Sequence, residues 1–275
     1  SSDVCSSDLY GTMSFKEIAN GAISAAEKGF IMHELMAQTI KDNEAQYRKW
    51  SSNREIYLPN NQPPKVGDLF VQADLAKTLK YMADQESAST GSRANKIDAA
   101  RQAFYRGDIA HAIAKFHKEN GGWITQTDLE RFRVTIEPAI EVTRKGATLF
   151  TCGPWCQGVS LAQMWNLLKN SDFKDLGHNS ADYIHIITEV IKLALSDREH
   201  YLGDPEFVDV PLKKLLSNDY GEERYSMIRE KSVLSDEYLW GNDATFGETD
   251  KFSLDTSYMC AVDKDGLVAS ITPSD

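Results

Sequence analysis

No apolar run in this chain approaches the roughly 20 residues needed to cross a bilayer as a helix. The most apolar helical stretch, Tyr183 to Leu202, is interrupted by His185, Glu189, Lys192 and Asp197, so no membrane span is expected. Cysteine is scarce, with 4 in 275 residues. Setting Cys5 aside with the irregular leader leaves Cys152, Cys156 and Cys260. An odd set of thiols in a chain long enough to build its own core does not suit a disulfide framework. Basic charge is also short, at 30 Lys and Arg against 41 Asp and Glu, a net −11. That balance excludes nucleic acid as a partner, because phosphate binding needs clustered cations. The six histidines (33, 111, 117, 178, 185, 200) are scattered, and none forms a zinc-binding spacing with Glu. No metal and no cofactor are expected, and there are no internal repeats.

What is present is the composition of an ordinary globular protein, 41% apolar and 26% charged. Residues 1–9 carry neither a helical nor a strand period and are expected to be a non-native leader. Ser14 and Glu17 have capping-box spacing, and Phe15, Ile18, Ala22, Ile23 and Ala26 then recur at helical intervals until Gly29. Further helices are expected at His33 to Trp50, Asp74 to Asp84, Ala99 to Glu119 with a break at Gly107, Ser160 to Asn170, Ser180 to Leu202 and, more weakly, Glu222 to Lys231. A second capping box is read at Thr127–Glu130. Gln85 to Asn95, rich in small polar residues, reads as a mobile surface insertion, and Ser235 to Phe252 as an exposed polar loop. Val134 to Val142 and Ala147 to Thr151 alternate like strands.

The last twenty residues read as a β-hairpin around Asp263-Lys264-Asp265-Gly266, preceded by Thr256. The same acidic run could begin a calcium loop, but Ser274 stands where the closing Glu is required, which favours the turn. Thr256 is either a β-branched strand-edge residue or a nucleophile. A threonine hydroxyl needs an adjacent base, and cutting the Asp255–Thr256 bond would free an α-amine to serve as that base. Cys152 and Cys156 lack a second Cys or His pair nearby and read as buried or partly buried thiols rather than a metal or redox centre. Asp197, Arg198, Asp204 and Asp209 read as structural ion pairs and caps around a Gly-Asp-Pro turn.

Six segments, in one order, resemble the γ-glutamyltransferase (γ-glutamyltranspeptidase) family. They are Tyr10–Phe15, Pro63–Asp68, Gln72–Leu79, Ala103–Gly107, Gly121–Thr125 and, most diagnostic, Ala194–Pro211 with the Leu216–Tyr220 boundary after it. The resemblance spans Tyr10 to Asp275. It implies an α+β chain, part of an N-terminal-nucleophile (αββα) hydrolase, made as a precursor that cleaves itself into two subunits. Residues 10–255 would be the C-terminal part of the large subunit and 256–275 the start of the small one. Thr256 matches the nucleophile, and Ser274 the second hydroxyl that supports it. The implied activity is γ-glutamyl transfer or hydrolysis on glutathione and related amides, with an amine or water as acceptor.

Departures accompany the match. Cys152-Gly153-Pro154-Trp155-Cys156-Gln157-Gly158 replaces the family's Pro-rich Ser-Ser-Gly-Gly loop. Ser257-Tyr258 replaces Thr-His or Ser-His, and Pro273 interrupts the second strand. The chain is expected to be truncated at both ends. The carboxylate-binding arginine would lie upstream of Tyr10. The pocket's asparagine, acidic residue and serine pair, and the oxyanion glycines, would lie beyond Asp275 in the remainder of the small subunit, a necessary partner. Periplasmic or secreted placement is common in the family. An acylase of the same fold acting on another dicarboxylic-acyl amide, or a non-catalytic paralogue, remains an alternative.

Overall fold

The computed structural model describes residues 9–171, 173–229, 232–234 and 259–271. The chain divides into two compact units, residues 1–136 and 137–275, and the described elements form an α+β structure rich in helix.

The first unit is built on α1 (Phe15–Lys28), α5 (Ala73–Ala88) and α6 (Arg93–Tyr105). Phe15, Ala19 and Ile23 of α1 meet Met82 and Ala83 of α5 and Ile97 and Ala100 of α6 in one buried cluster. Each large apolar side chain buried this way contributes about 1.5–3 kcal/mol. The start of α1 is doubly capped. Ser14 and Glu17 make the expected reciprocal box, with Ser14 N–H donating to Glu17 Oε2 at 2.9 Å. In addition, the buried Glu86 of α5 accepts from the Phe15 and Lys16 backbone N–H groups at 2.7 and 2.8 Å. These are two of the four amides a helix start leaves without partners, and a carboxylate there also meets the positive end of the helix dipole. Glu86→Ala is therefore expected to cost about 1–3 kcal/mol. It would appear in urea unfolding as a lower midpoint with an unchanged slope.

Gly29 ends α1 at φ +78°, where a Cβ would sit 2.7 Å from the Phe70 carbonyl oxygen. The chain then enters β1 (Phe30–Ile31), which pairs antiparallel with β2 (Leu69–Phe70). Met32, Ala37, Ile40, Leu58 and Phe70 form a second cluster beneath this ladder. The helix expected from His33 to Trp50 is two helices, α2 (Glu34–Asp42) and α3 (Glu44–Tyr47). The break is at Asn43, whose side-chain amide donates to the Thr39 carbonyl at 3.0 Å. A short polar side chain competing for backbone partners ends a helix in this way. A short α4 (Ser51–Tyr57) follows.

The segment read as a mobile insertion is ordered. α5 runs to Ala88, and Ser92 caps α6 in a reciprocal box with Asn95. Its serines and threonine mark a helix end and a helix start, not an excursion. α7 (Asp108–Glu119) and α8 (Gln126–Arg131) complete the unit. The second capping box lies two residues earlier than read, with Thr125 as cap and Asp128 accepting its N–H at 2.8 Å. An aspartate serves in place of the glutamate sought by pattern.

In the second unit, β3 (Ile140–Arg144) and β4 (Ala147–Thr151) form a hairpin over Lys145-Gly146, both at positive φ. The expected strand begins at Ile140 and not at Val134. Among the described residues five α-helices follow: α9 (Gly158–Leu167), α10 (Phe173–Leu176), α11 (Ala181–Tyr201), α12 (Leu212–Leu215) and α13 (Asn218–Tyr225). Ser180 caps α11 by accepting the Tyr183 N–H at 3.1 Å. Leu167, Val190, Leu193 and Leu234 form the unit's buried core. No described helix is long and apolar enough to cross a membrane. The polar loop expected at Ser235 to Phe252 lies outside the described residues.

Candidate active site

Two parts of the second unit carry the residues that the sequence singled out, a hairpin and a helical platform. The hairpin pairs β5 (Met259–Val262) with β6 (Val268–Ile271) in four successive registers, Met259↔Ile271, Cys260↔Ser270, Ala261↔Ala269 and Val262↔Val268. Its turn has the sequence-predicted position. Gly266 N–H donates to the Asp263 carbonyl at 3.2 Å, and Asp263 N–H to the Leu267 carbonyl at 3.0 Å. Gly266 stands at φ +86°, the left-handed residue a three-residue hairpin loop requires. Asp263 Oδ1 accepts from Asp265 N–H and Leu267 N–H, both at 2.9 Å. The aspartate is thus occupied in tying its own turn. Met259, Val262 and Val268 stand more than half exposed. Thr256, Asp255 and Ser274 lie outside the described residues.

The platform is held by one buried carboxylate. Asp197 of α11 accepts from Gln163 Nε2 of α9 at 2.9 Å and from the Tyr220 hydroxyl of α13 at 2.9 Å. It also pairs with Arg224 of α13 at 3.0 Å. Three helices therefore converge on a residue that the sequence marked as structural. Burial holds the Asp197 carboxyl above the usual carboxylate range, while Arg224, Tyr220 and Gln163 pull it back down. Burial, then the charge and hydrogen bond of Asp197, push the Tyr220 phenol well above its ordinary value.

The neighbouring residues of the motif also serve structure. Arg198 pairs with Glu199 and donates to Gln157 Oε1 at 3.2 Å. Asp204 Oδ1 accepts Glu206 N–H at 2.9 Å in the Gly-Asp-Pro turn. A cleft of about 320 Å³ beside α13 is lined by Asn166, Lys169, Asn218, Glu222 and Tyr225 among others. Its lysine is engaged, with Nζ donating to Asn218 Oδ1 at 2.7 Å.

Glu189 was noted in the sequence only as an interruption of an apolar helix. It is fully buried, accepts the Leu234 N–H at 2.9 Å and pairs with Lys192 at 3.0 Å. Lys192 also donates to the Leu234 carbonyl at 3.1 Å. The two side chains therefore clamp both polar groups of one residue. Glu and Lys three apart on the core side of an amphipathic pattern were the available signal, since a buried charge needs a partner. One cysteine, Cys152, corrects the sequence reading, while Cys156 is partly buried as read. Cys152 is exposed and Cys156 partly so, because they sit in a surface loop between β4 and α9 and not under it.

Residues 6–274 match the family model described as Gamma-glutamyltranspeptidase. The chain is 32% identical over 268 residues to the glutathione hydrolase proenzyme of Escherichia coli (strain K12), covering 96% of this chain and 43% of that protein. It is 30% identical over 264 residues to the acylase ACY 1 proenzyme of Pseudomonas sp. (strain V22), with the same coverages of 96% and 43%. Among solved structures, the Helicobacter pylori γ-glutamyltranspeptidase superposes with a TM-score of 0.76 at 28% identity, over 90% of this chain and 68% of that one. The chain spans less than half the length of these two relatives. Its fold is that of an N-terminal-nucleophile hydrolase, and the chain belongs to the γ-glutamyltranspeptidase family.

Proposed function

We propose that the whole protein carrying this chain transfers or hydrolyses γ-glutamyl groups through Thr256, freed by self-cleavage at Asp255–Thr256. One observation carries this reading, the register of β5 and β6. Kept for three residues beyond Met259 and Ile271, and carried past Pro273, which forgoes one ladder hydrogen bond for want of an N–H, it would pair Thr256 with Ser274. Asp263/Leu267 is a hydrogen-bonded position. Alternation would then make Thr256/Ser274 a non-hydrogen-bonded one, where facing side chains approach most closely. Two hydroxyls on one face would stand in hydrogen-bonding reach.

The chemistry then follows in two stages. In processing, Thr256 Oγ attacks the Asp255 carbonyl. The peptide C–N bond breaks with its nitrogen taking a proton, and the resulting ester is hydrolysed by water. In turnover, the new α-amine takes the proton of the same hydroxyl as Oγ attacks the γ-amide carbon. The leaving amine departs with a proton, and a γ-glutamyl ester remains. Water or an acceptor amine releases the product. Dividing acyl transfer into forming an ester and then cleaving it is the general advantage of a covalent nucleophile. The Ser274 hydroxyl holds Thr256 Oγ in line for attack.

A hydrogen bond of this kind contributes about 0.5–1.5 kcal/mol. Ser274→Ala is therefore expected to lower turnover by roughly threefold to tenfold, read as kcat with a chromogenic γ-glutamyl anilide. The similarity to an acylase proenzyme and the Trp155-bearing loop keep a second substrate class in view, a dicarboxylic-acyl amide other than γ-glutamyl. Assaying the whole-length protein with γ-glutamyl-p-nitroanilide against a glutaryl amide separates the two. Faster release from the glutaryl amide would overturn the γ-glutamyl assignment and leave the threonine chemistry standing.

A further inference from the structure

Between β4 and α9 the chain makes a tight loop, Cys152-Gly153-Pro154-Trp155-Cys156-Gln157. Cys156 N–H donates to the Gly153 carbonyl at 3.3 Å, closing a turn. The chain returns so closely that a Cβ on Gly158 would lie 2.1 Å from the Cys152 carbonyl oxygen. This closure sets Cys152 and Cys156 at the two ends of one turn, with three residues between them. Cys152 is exposed and Cys156 partly so, so a small reagent can reach them. Trp155 stands between them, 57% exposed, with its indole N–H donating to the Glu137 carboxylate. Neither the threonine chemistry nor the Asp197 network uses either thiol.

We propose that Cys152 and Cys156 are a redox-active dithiol that closes to an intramolecular disulfide by exchange with small-molecule disulfides. In the first step the thiolate of one cysteine attacks RS–SR, forms a protein–S–SR bond and expels RS⁻, which takes up the proton the thiol lost. In the second, the thiolate of the other cysteine attacks the protein sulfur and expels the second RS⁻, again protonated to RSH. Two protein thiols are oxidised, and one RS–SR is reduced to two RSH. A disulfide needs Cα atoms roughly 4.4–6.8 Å apart, a span that three residues folded into a turn supply. Exchange runs through the thiolate. Shielding of its sulfur, then the neighbouring Cys156 and the Glu137 carboxylate, push the Cys152 thiol up. The reaction therefore accelerates as pH rises. None of this rests on the γ-glutamyl reading, since no step involves Thr256.

The test uses the reduced 275-residue chain, incubated with millimolar oxidised glutathione, alkylated and mapped by peptide mass spectrometry. The second thiol acts at an effective concentration of millimolar or above. The Cys152–Cys156 disulfide is therefore expected to exceed either mixed disulfide by at least about tenfold. The exposed Cys260 should stop as a glutathione adduct. In Cys156→Ser, Cys152 should remain trapped as its glutathione adduct. Two separate adducts at Cys152 and Cys156, or two free thiols while Cys260 reacts, would overturn the proposal.

Discussion

Thr256→Ala in the whole-length precursor is expected to leave a single uncut chain and to reduce γ-glutamyl turnover by at least about a thousandfold. Two losses coincide in that variant. The hydroxyl that attacks Asp255 is gone, so no α-amine is freed, and the hydroxyl that attacks substrate is gone as well. Thr256→Ser keeps both groups, and it should still be cut, more slowly, because serine lacks the methyl that restricts χ1. The pair of variants separates a chemical role from a packing role: a strand-edge threonine kept for its β-branched shape would tolerate neither change differently from the other. Denaturing gels over time read the processing, and release of p-nitroaniline reads the turnover.

The largest effect on stability is expected at Asp197. Its carboxylate is nearly sealed among α9, α11 and α13, and it pairs with an Arg224 side chain that is itself only 12% exposed. Asp197→Ala leaves that guanidinium without its counter-charge and strands the Tyr220 hydroxyl and the Gln163 amide. Breaking a buried pair by removing one partner costs about 3–5 kcal/mol, a large share of a typical domain's stability. Asp197→Asn keeps a hydrogen-bonding group and should cost less.

The two variants also differ from the parent in acid. Burial raises the folded-state value of Asp197, so between its unfolded and folded values the native chain binds more protons than the unfolded one. This group's contribution therefore favours the fold below the ordinary carboxylate range and falls away as pH rises through the folded value. Removing the carboxyl should flatten that part of the stability profile, as measured by urea unfolding at a series of pH values.

The sequence carried the helices well where a cap and an apolar period agreed. Ser14 with Glu17 and Gly29 after α1 stand where the pattern put them, and the helix expected from Ser180 to Leu202 is present from Ala181 to Tyr201. It failed where a side chain made a choice that no period encodes. Asn43 broke a helix by reaching back to Thr39, and Ser92 started one inside a stretch that composition alone marks as loop. The long-range cap from Glu86 to α1 joins residues about seventy positions apart, and no local window contains it.

Of the candidate site, the Asp263–Gly266 turn was readable because a left-handed glycine after an aspartate has few other uses. The clamp of Glu189 and Lys192 on Leu234 was readable only in half: their spacing signals a paired charge on the core side, but no local window contains the Leu234 backbone they hold. Cys152 was misread for the same reason: a cysteine's burial is a property of the elements around it, and here β4 and α9 leave Cys152 outside.

The most direct measurement is N-terminal sequencing of the smaller product after the whole-length precursor has been purified and allowed to mature. A product beginning Thr-Ser-Tyr, from Thr256 onward, is the expected result. A precursor that stays whole, or a cut that opens the chain at any other bond, would contradict a nucleophile that supplies its own base.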